Sequence, residues 1–408
     1  MPRAVVVVPV LLGSLLGSLL GTGRAETGRD APPMFKPPTP VLGGTSAPAG
    51  KWPDIVAMPF DGSPDSTYCT GTLIAPTVVI TAHHCVVEPP PPDNVLIGTS
   101  SLAQPEAGEL INIQAIHAYP DGENTLDLAV LVLATPSTRA PRPIATGWAR
   151  ADILDGAGVA LVGYGAIDAA AETYIPELQE AMSTITDAGC TKNAANGCNA
   201  MAAPAGELGA GGMGIDTCLG DSGGPLYLVT GYGTFLAGVT SRSYDDATLT
   251  CSEGGIYARP DKAVEWIERV SGVTIARGPE PAADAIVAAA VGGETVVTAN
   301  DPRSESHSYA IARQPANGTA GVRDDGHVLV CPTAAGADTV IVTLIDATNP
   351  ARKAELTIPI TADAAATSCS VEDFLDTGGC CDSGRNAGGS VPLAIGLAAI
   401  LRRRRRTS

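Results

Sequence analysis

Aromatic residues make up only 4% of this 408-residue chain, with 4 Phe and 3 Trp, while Gly and Pro number 47 and 33. That balance argues against long helices and predicts many turns and short strands. Positive charge is also scarce: 25 Lys and Arg stand against 43 Asp and Glu, for a net charge of −18. A nucleic-acid partner is excluded on that ground, and a soluble, exported protein is favoured. No CxxC pair and no His/Cys cluster at zinc spacing occurs, so neither a metal site nor a cofactor is expected. Ten cysteines are present, and in an exported chain they predict disulfides. Export itself is read from the N-terminus. Arg3 precedes an apolar stretch from Ala4 to Leu20, interrupted by Gly13 and Gly17 and followed by small residues up to Ala25. This is the pattern of a signal peptide over residues 1–25 rather than of a membrane anchor. The length predicts two domains with processed ends.

The densest chemistry lies in Cys218-Leu219-Gly220-Asp221-Ser222-Gly223-Gly224-Pro225. Small residues around Ser222 allow a tight turn, in which the amides of Gly220 and Ser222 can face one developing oxyanion. Upstream, Thr81-Ala82-His83-His84-Cys85 sets a histidine beside a cysteine, and Asp127 sits between Leu126 and Leu128 at the head of an apolar run. An acid in such a run is costly to bury unless it is paired. The order His, Asp, Ser is one known arrangement of a nucleophile, its general base and the acid that orients the base.

These stretches resemble the trypsin-like serine proteases, and the resemblance runs from Val41 to about Gly272. Val41-Leu42-Gly43-Gly44 is similar to that family's mature N-terminus, and Gly163-Tyr164-Gly165 and Leu178-Gln179-Glu180 fall in familiar places. The fold implied is all-β: two six-stranded barrels with the active site between them. Val78–Ile80 and Leu128–Leu133 read as strands of these barrels. A helix closing the region, with Ala263, Trp266, Ile267 and Val270 on one face, follows Asp261 as its expected cap.

The resemblance also assigns roles. His84 is the expected general base and Asp127 its orienting acid, backed by Ser241; Ser222 is the nucleophile, with Gly220 and Ser222 forming the oxyanion hole. His83 is read as a packing substitution. Asp216 falls where the family's Arg- and Lys-selective members carry the floor of the specificity pocket, with Ser241, Ser243 and Gly255 along its walls. Asp221 is expected to pair with the Val41 amine once the chain is cut before it. The implied disulfides are Cys69–Cys85, Cys190–Cys198 and Cys218–Cys251. Two departures stand out. Pro40 precedes Val41 where the family has Arg or Lys, which calls for an unidentified activating protease. Arg242 and Ser243 replace the usual Trp and Gly. The expected partners are protein or peptide substrates with Arg or Lys at the cut. A latent, protease-like binding or adhesion protein is the second reading.

The expected organisation is a signal peptide (1–25), a Pro-rich propeptide (26–40), the protease-like domain (41–272) and a linker (273–283). There follow a β-sandwich resembling immunoglobulin- or cadherin-like repeats (284–363), a Cys/Gly-rich linker (364–390) and a tail (391–408). Glu294–Thr298 and Asp338–Leu344 alternate at period 2, with Asp324-Asp325-Gly326 as a hairpin signal. Cys331, Cys369, Cys380 and Cys381 lie in this C-terminal third, their pairing open. In the tail, 11 apolar residues from Val391 to Leu401 precede five arginines. As a helix this run would span about 16 Å, against a hydrocarbon core of about 30 Å. The tail resembles the cysteine-containing sorting signals of myxobacterial surface proteins, which implies a transient membrane contact and attachment to the outer surface of a Gram-negative cell. Mass spectrometry of mature protein from its host is expected to find the chain ending near Cys380 or Cys381. A mature form that keeps Arg402 to Arg406 would favour a simple membrane tail instead.

Overall fold

The computed structural model describes residues 40–376, apart from 61–62, 88–90, 123–124, 193–195, 200–201 and 203–205. The expected signal peptide, nearly all of the propeptide, Cys380, Cys381 and the tail lie outside the described residues. After a two-residue strand β1 (Thr45–Ser46), six antiparallel strands close the first barrel in the order β2-β3-β4-β7-β6-β5. They are β2 (Ile55–Phe60), β3 (Ser63–Ala75), β4 (Val78–Thr81), β5 (Asn94–Ile97), β6 (Glu109–Ala118) and β7 (Ala129–Leu133). The second barrel comprises β8 (Gly158–Gly163), β9 (Gln179–Asp187), β10 (Glu207–Ala210), β11 (Pro225–Thr230), β12 (Gly233–Ser243) and β13 (Gly255–Ala258). It closes because β8 pairs with both β9 and β11, and β1 adds to β9. Closure leaves these short strands without an open edge.

β4 and β7 read as continuous apolar runs because both of their faces are largely buried. All four residues of β4 are buried, and the core of the first barrel continues into the second through Val162, Tyr164, Tyr227 and Val239. A polar knot crosses the same boundary. Asp54, fully buried, accepts from Arg142 and from the Tyr227 hydroxyl, while Trp52 stacks on Tyr227 with ring centroids 4.7 Å apart. The helix Val264–Ser271 then lays Trp266 and Ile267 into the core of the first barrel, tying the chain's return to the opposite lobe. Asp261 does not cap this helix. Its buried carboxylate is taken by Arg150 at 2.7 Å and Arg259 at 3.0 Å, and Ala263 occupies the cap position.

Seven further strands form two sheets facing one core. β14 (Ile286–Ala288), β16 (His307–Arg313), β19 (Gly336–Asp346) and β20 (Lys353–Ala362) make one sheet in the order β14-β20-β19-β16. β15 (Gly293–Val296), β17 (Gly318–Val322) and β18 (His327–Pro332) make the other, in the order β15-β18-β17. Along β20 buried and exposed residues alternate, as a strand with one solvated face requires. Gly326, at φ 83°, turns the β17–β18 hairpin. Cys331 bonds to Cys369, inside the stretch read as a linker, and the helix Val371–Asp376 that follows buries Phe374 against Leu329.

This sandwich is not free of the barrels. Trp148 and Ala151, on the helix Gly147–Ala151 that precedes β8, complete its core, and Trp148 Nε1 donates to the Ala299 carbonyl at 2.5 Å. Arg352, 1% exposed, donates to Asp152 at 2.6 Å, to Asp346 at 2.6 Å and to both oxygens of Asp301 at 3.0 Å. Asp152 belongs to the barrel segment, and it also accepts from Arg303 and Tyr232. The connecting residues are hydrogen-bonded as well: Gly278 N donates to Thr146 Oγ1 at 3.1 Å and Trp148 N to the Pro279 carbonyl at 2.7 Å. Replacing Arg352 by Met would leave buried carboxylates without their cation. A loss of about 3–5 kcal/mol is expected, measured by denaturant unfolding at neutral pH, with Arg352→Lys less affected.

Candidate active site

β4 and β7 pair antiparallel with Thr81 opposite Ala129. His84 follows the end of one strand and Asp127 precedes the start of the other, so both project beyond the same end of the first barrel. The Cys69–Cys85 disulfide fixes the turn that carries His84. His84 Nδ1 lies 2.8 Å from Asp127 Oδ2, and the His84 backbone N–H donates to Oδ1 at 3.0 Å. From the second barrel, Ser241 Oγ donates to Asp127 Oδ2 at 2.6 Å. Burial pushes the Asp127 carboxyl upward, but these hydrogen bonds and the His84 charge outweigh it and hold the group below its ordinary value. His83 points elsewhere. Its ring leaves no room for a side chain at Gly122, and its buried Nδ1 has no hydrogen-bond partner among the described residues.

Ser222 sits three residues before the start of β11, on a loop tied down from several directions. Thr70 N donates to the Ser222 carbonyl at 2.8 Å, Thr70 Oγ1 to the Gly220 carbonyl at 2.8 Å, and Gly223 N to the Thr240 carbonyl at 2.8 Å. Gly220 and Gly223 have φ of 97° and 78°, and a Cβ at Gly223 would collide with Thr81 and Thr70. Both positions therefore demand glycine. Among the described residues, no acceptor is recorded for the amides of Gly220 and Ser222.

His84, Asp127, Ser222, Asp216, Ser243 and Gly255 line one cleft of about 550 Å³, with Ser241, Arg242 and the Cys218–Cys251 disulfide. Asp216, 2% exposed, accepts from the amides of Thr217, Ser252 and Gly254, each at 2.9 Å. Burial raises its carboxyl in spite of these bonds, and no cation pairs with it among the described residues. A Cβ on Gly255 would stand 3.8 Å from Asp216 Oδ1, so glycine keeps the way to that carboxylate open. Ser243 Oγ donates to the Thr250 carbonyl at 3.0 Å. Arg242 pairs with Glu207, a partner that no local motif pointed to. The Cys190–Cys198 bridge closes the adjacent loop.

Asp221, fully buried, accepts from Gly165 N at 2.8 Å and Cys218 N at 2.9 Å. Burial is only partly offset by these amides, and the nearby Asp216 charge adds to it, so the carboxyl rises to about 7. Val41, still joined to Pro40, is fully buried in the core of the second barrel at φ 30°, an uncommon conformation for a β-branched residue. The adjoining Leu42 carbonyl accepts from Asp216 N at 3.1 Å.

A trypsin family model matches residues 41–267, more than half of the chain. The protein belongs to the trypsin family. A trypsin from Saccharopolyspora erythraea is 30% identical over 231 residues, 54% of this chain and 92% of that protein. Glucanase inhibitor protein 3 of Phytophthora infestans is 31% identical over 244 residues, covering 57% of this chain and 88% of the inhibitor. Human serine protease 56 is 30% identical over 259 residues, and the match spans only 40% of its length. Among solved structures, mouse neuropsin is 22% identical with a TM-score of 0.45, covering 56% of this chain and 98% of its own. The secreted serine protease VesC of Vibrio cholerae is 18% identical with a TM-score of 0.45, covering 78% of this chain and 71% of its own. Among the described residues no helix is long and apolar enough to cross a membrane.

The raised Asp221 carboxyl gives the uncleaved trypsin-family chain a pH signature. Its folded value of about 7 lies above 3.8, so the native state holds this proton more tightly than the unfolded chain does. That contribution to stability is complete below 3.8 and is lost as pH rises to about 7. Thermal unfolding of uncleaved Ser222→Ala protein across this window should show the decline, and adding Asp221→Asn should flatten part of it.

Proposed function

We propose that this protein is a secreted, surface-held serine endopeptidase that cuts peptide bonds after Arg or Lys. The observation that carries the reading is the single cleft that joins His84, Asp127 and Ser222 to a buried, unpaired Asp216. Ser222 Oγ attacks the scissile carbonyl carbon and passes its proton to His84 Nε2, while Asp127 holds the opposite ring nitrogen. The tetrahedral oxyanion takes hydrogen bonds from the amides of Gly220 and Ser222. The C–N bond breaks as His84 returns the proton to the leaving amine. Water then attacks the acyl-enzyme with His84 again as base, and releases the acid.

Asp216 supplies the charge that selects a substrate cation. Its donors are all neutral backbone amides, so the carboxylate charge is left for an ammonium or guanidinium to pair with. Asp221 is the intended partner of the Val41 ammonium, which forms when a protease able to cut after Pro40 acts. Pairing then relieves both the buried charge and the strained Val41 backbone. Until that cut the chain is latent. The second reading, a protease-like binding protein, draws support from Pro40 ahead of Val41, from the altered pocket wall at Arg242 and Ser243, and from a relative named as a glucanase inhibitor.

Protein starting at Val41 should hydrolyse Arg and Lys ester substrates, and Ser222→Ala should lower turnover by about 10⁶-fold with the fold intact. Asp216→Ser should abolish the Arg/Lys preference, since an unpaired buried cation costs about 3–5 kcal/mol. Peptide-library profiling reads both results. No hydrolysis above the Ser222→Ala background would favour the binding protein.

A further inference from the structure

Arg242 faces the active-site cleft with its side chain 39% exposed, and position alone would make it a cation offered to substrate. Its hydrogen bonds point to another task. Nη1 donates to Glu207 Oε1 at 2.8 Å, and Nη2 donates to Oε2 at 3.0 Å and to the Gly197 carbonyl at 2.8 Å. Nη1 also reaches Ser241 Oγ at 3.3 Å. These contacts engage most of the five N–H donors of a guanidinium, which leaves little with which to hold a ligand. Glu207 is itself fixed: only 6% exposed, it accepts from Asn199 N at 2.8 Å, beside the Cys190–Cys198 bridge.

Neighbouring residues on a regular strand point to opposite faces, so Ser241 and Arg242 should not meet. They do so because β12 is bulged at this point. Thr240 pairs with Tyr257 and Arg242 with Ile256, which leaves Ser241 as the extra residue. Bulges beside active sites commonly re-aim a side chain in this way.

Resting on the proteolytic reading above, we propose that Arg242, held by Glu207, is a positioning residue for the His84–Asp127 pair and acts through Ser241. A serine hydroxyl has one proton and two acceptor lone pairs. With Arg242 donating to its oxygen, Ser241 directs its proton to Asp127 Oδ2, 2.6 Å away. The carboxylate then stays turned so that its contact with His84 Nδ1 is kept. A line of side chains thus runs from Glu207 through Arg242, Ser241 and Asp127 to His84. Asp216 lines the same cleft and His83 adjoins His84 in the chain, and neither is altered in the variants below.

The test uses protein starting at Val41, with kcat and KM measured across pH for wild type, Arg242→Met, Arg242→Lys and Glu207→Gln. In Arg242→Met, kcat should fall about tenfold or more while KM stays within about threefold. The acid limb of kcat/KM should move to higher pH, because loss of a cation favours the protonated imidazole. Glu207→Gln should move that limb the opposite way, and Arg242→Lys should recover much of kcat. An Arg242→Met enzyme with unchanged kcat and an unmoved limb overturns the proposal. A raised KM at constant kcat also overturns it, and would put Arg242 on the substrate. Should Arg242→Met fail to fold, the limbs of Glu207→Gln and Arg242→Lys decide. The His84 Nδ1 proton resonance, recorded without substrate in a Ser222→Ala background, reads the same contact independently of turnover. It should shift or broaden in the Arg242 variants, and an identical resonance overturns the proposal. Absence of hydrolysis by wild type would count against the proteolytic reading alone.

Discussion

One carboxylate governs the assembly of this site. Asp127 comes from the first barrel, accepts from the backbone and ring of His84 on that barrel, and accepts again from Ser241 on the second. A mostly buried carboxylate with any of these donors missing would be left partly desolvated and unpaired, a penalty of about 1 kcal/mol or more. The group is satisfied only when both barrels have closed and docked. The position of His84 is therefore a product of the whole two-barrel fold, and the polar knot of Asp54, Arg142 and Tyr227 ties the same two barrels together.

Two more buried acids lie close by, and their differing surroundings separate their tasks. Asp127 has three side-chain and backbone donors and is held low. Asp216 has only amide donors and is raised, because burial outweighs them. Asp221 is fully enclosed and rises to about 7. It carries the strongest demand for a positive partner, and none is present among the described residues while Val41 remains joined to Pro40. Three aspartates of equal intrinsic acidity are thus separated, one held low and two raised, by burial and the donors and charges around each.

The C-terminal sandwich extends this logic beyond the family match, which ends at residue 267. Its core borrows Trp148 and Ala151 from the barrel segment, and Arg352 gathers acids from both sides of the junction. Such a junction holds the sandwich in a fixed place against the second barrel, the lobe that supplies Ser222 and Asp216.

The stretches around His84, Asp127 and Ser222 were legible from sequence because each is local: a cysteine beside a histidine, an acid in an apolar run, glycines around a serine. The strands β4, β7 and β19 were legible for a similar reason, since burial on one or both faces writes itself into the residue pattern. What sequence could not supply were partners chosen by folding. Asp261 looked like a helix cap, but Arg150 and Arg259 claim it. Arg242 was visible as an anomaly, yet its meaning depends on Glu207, and a bulge is needed to bring it beside Ser241. Arg352 and Asp152 are 200 residues apart and carry no periodic signal. Hydrophobic pattern and motif spacing are properties of the chain; the pairing of buried charges is a property of the packed molecule, because only packing removes the water that would otherwise satisfy each charge alone.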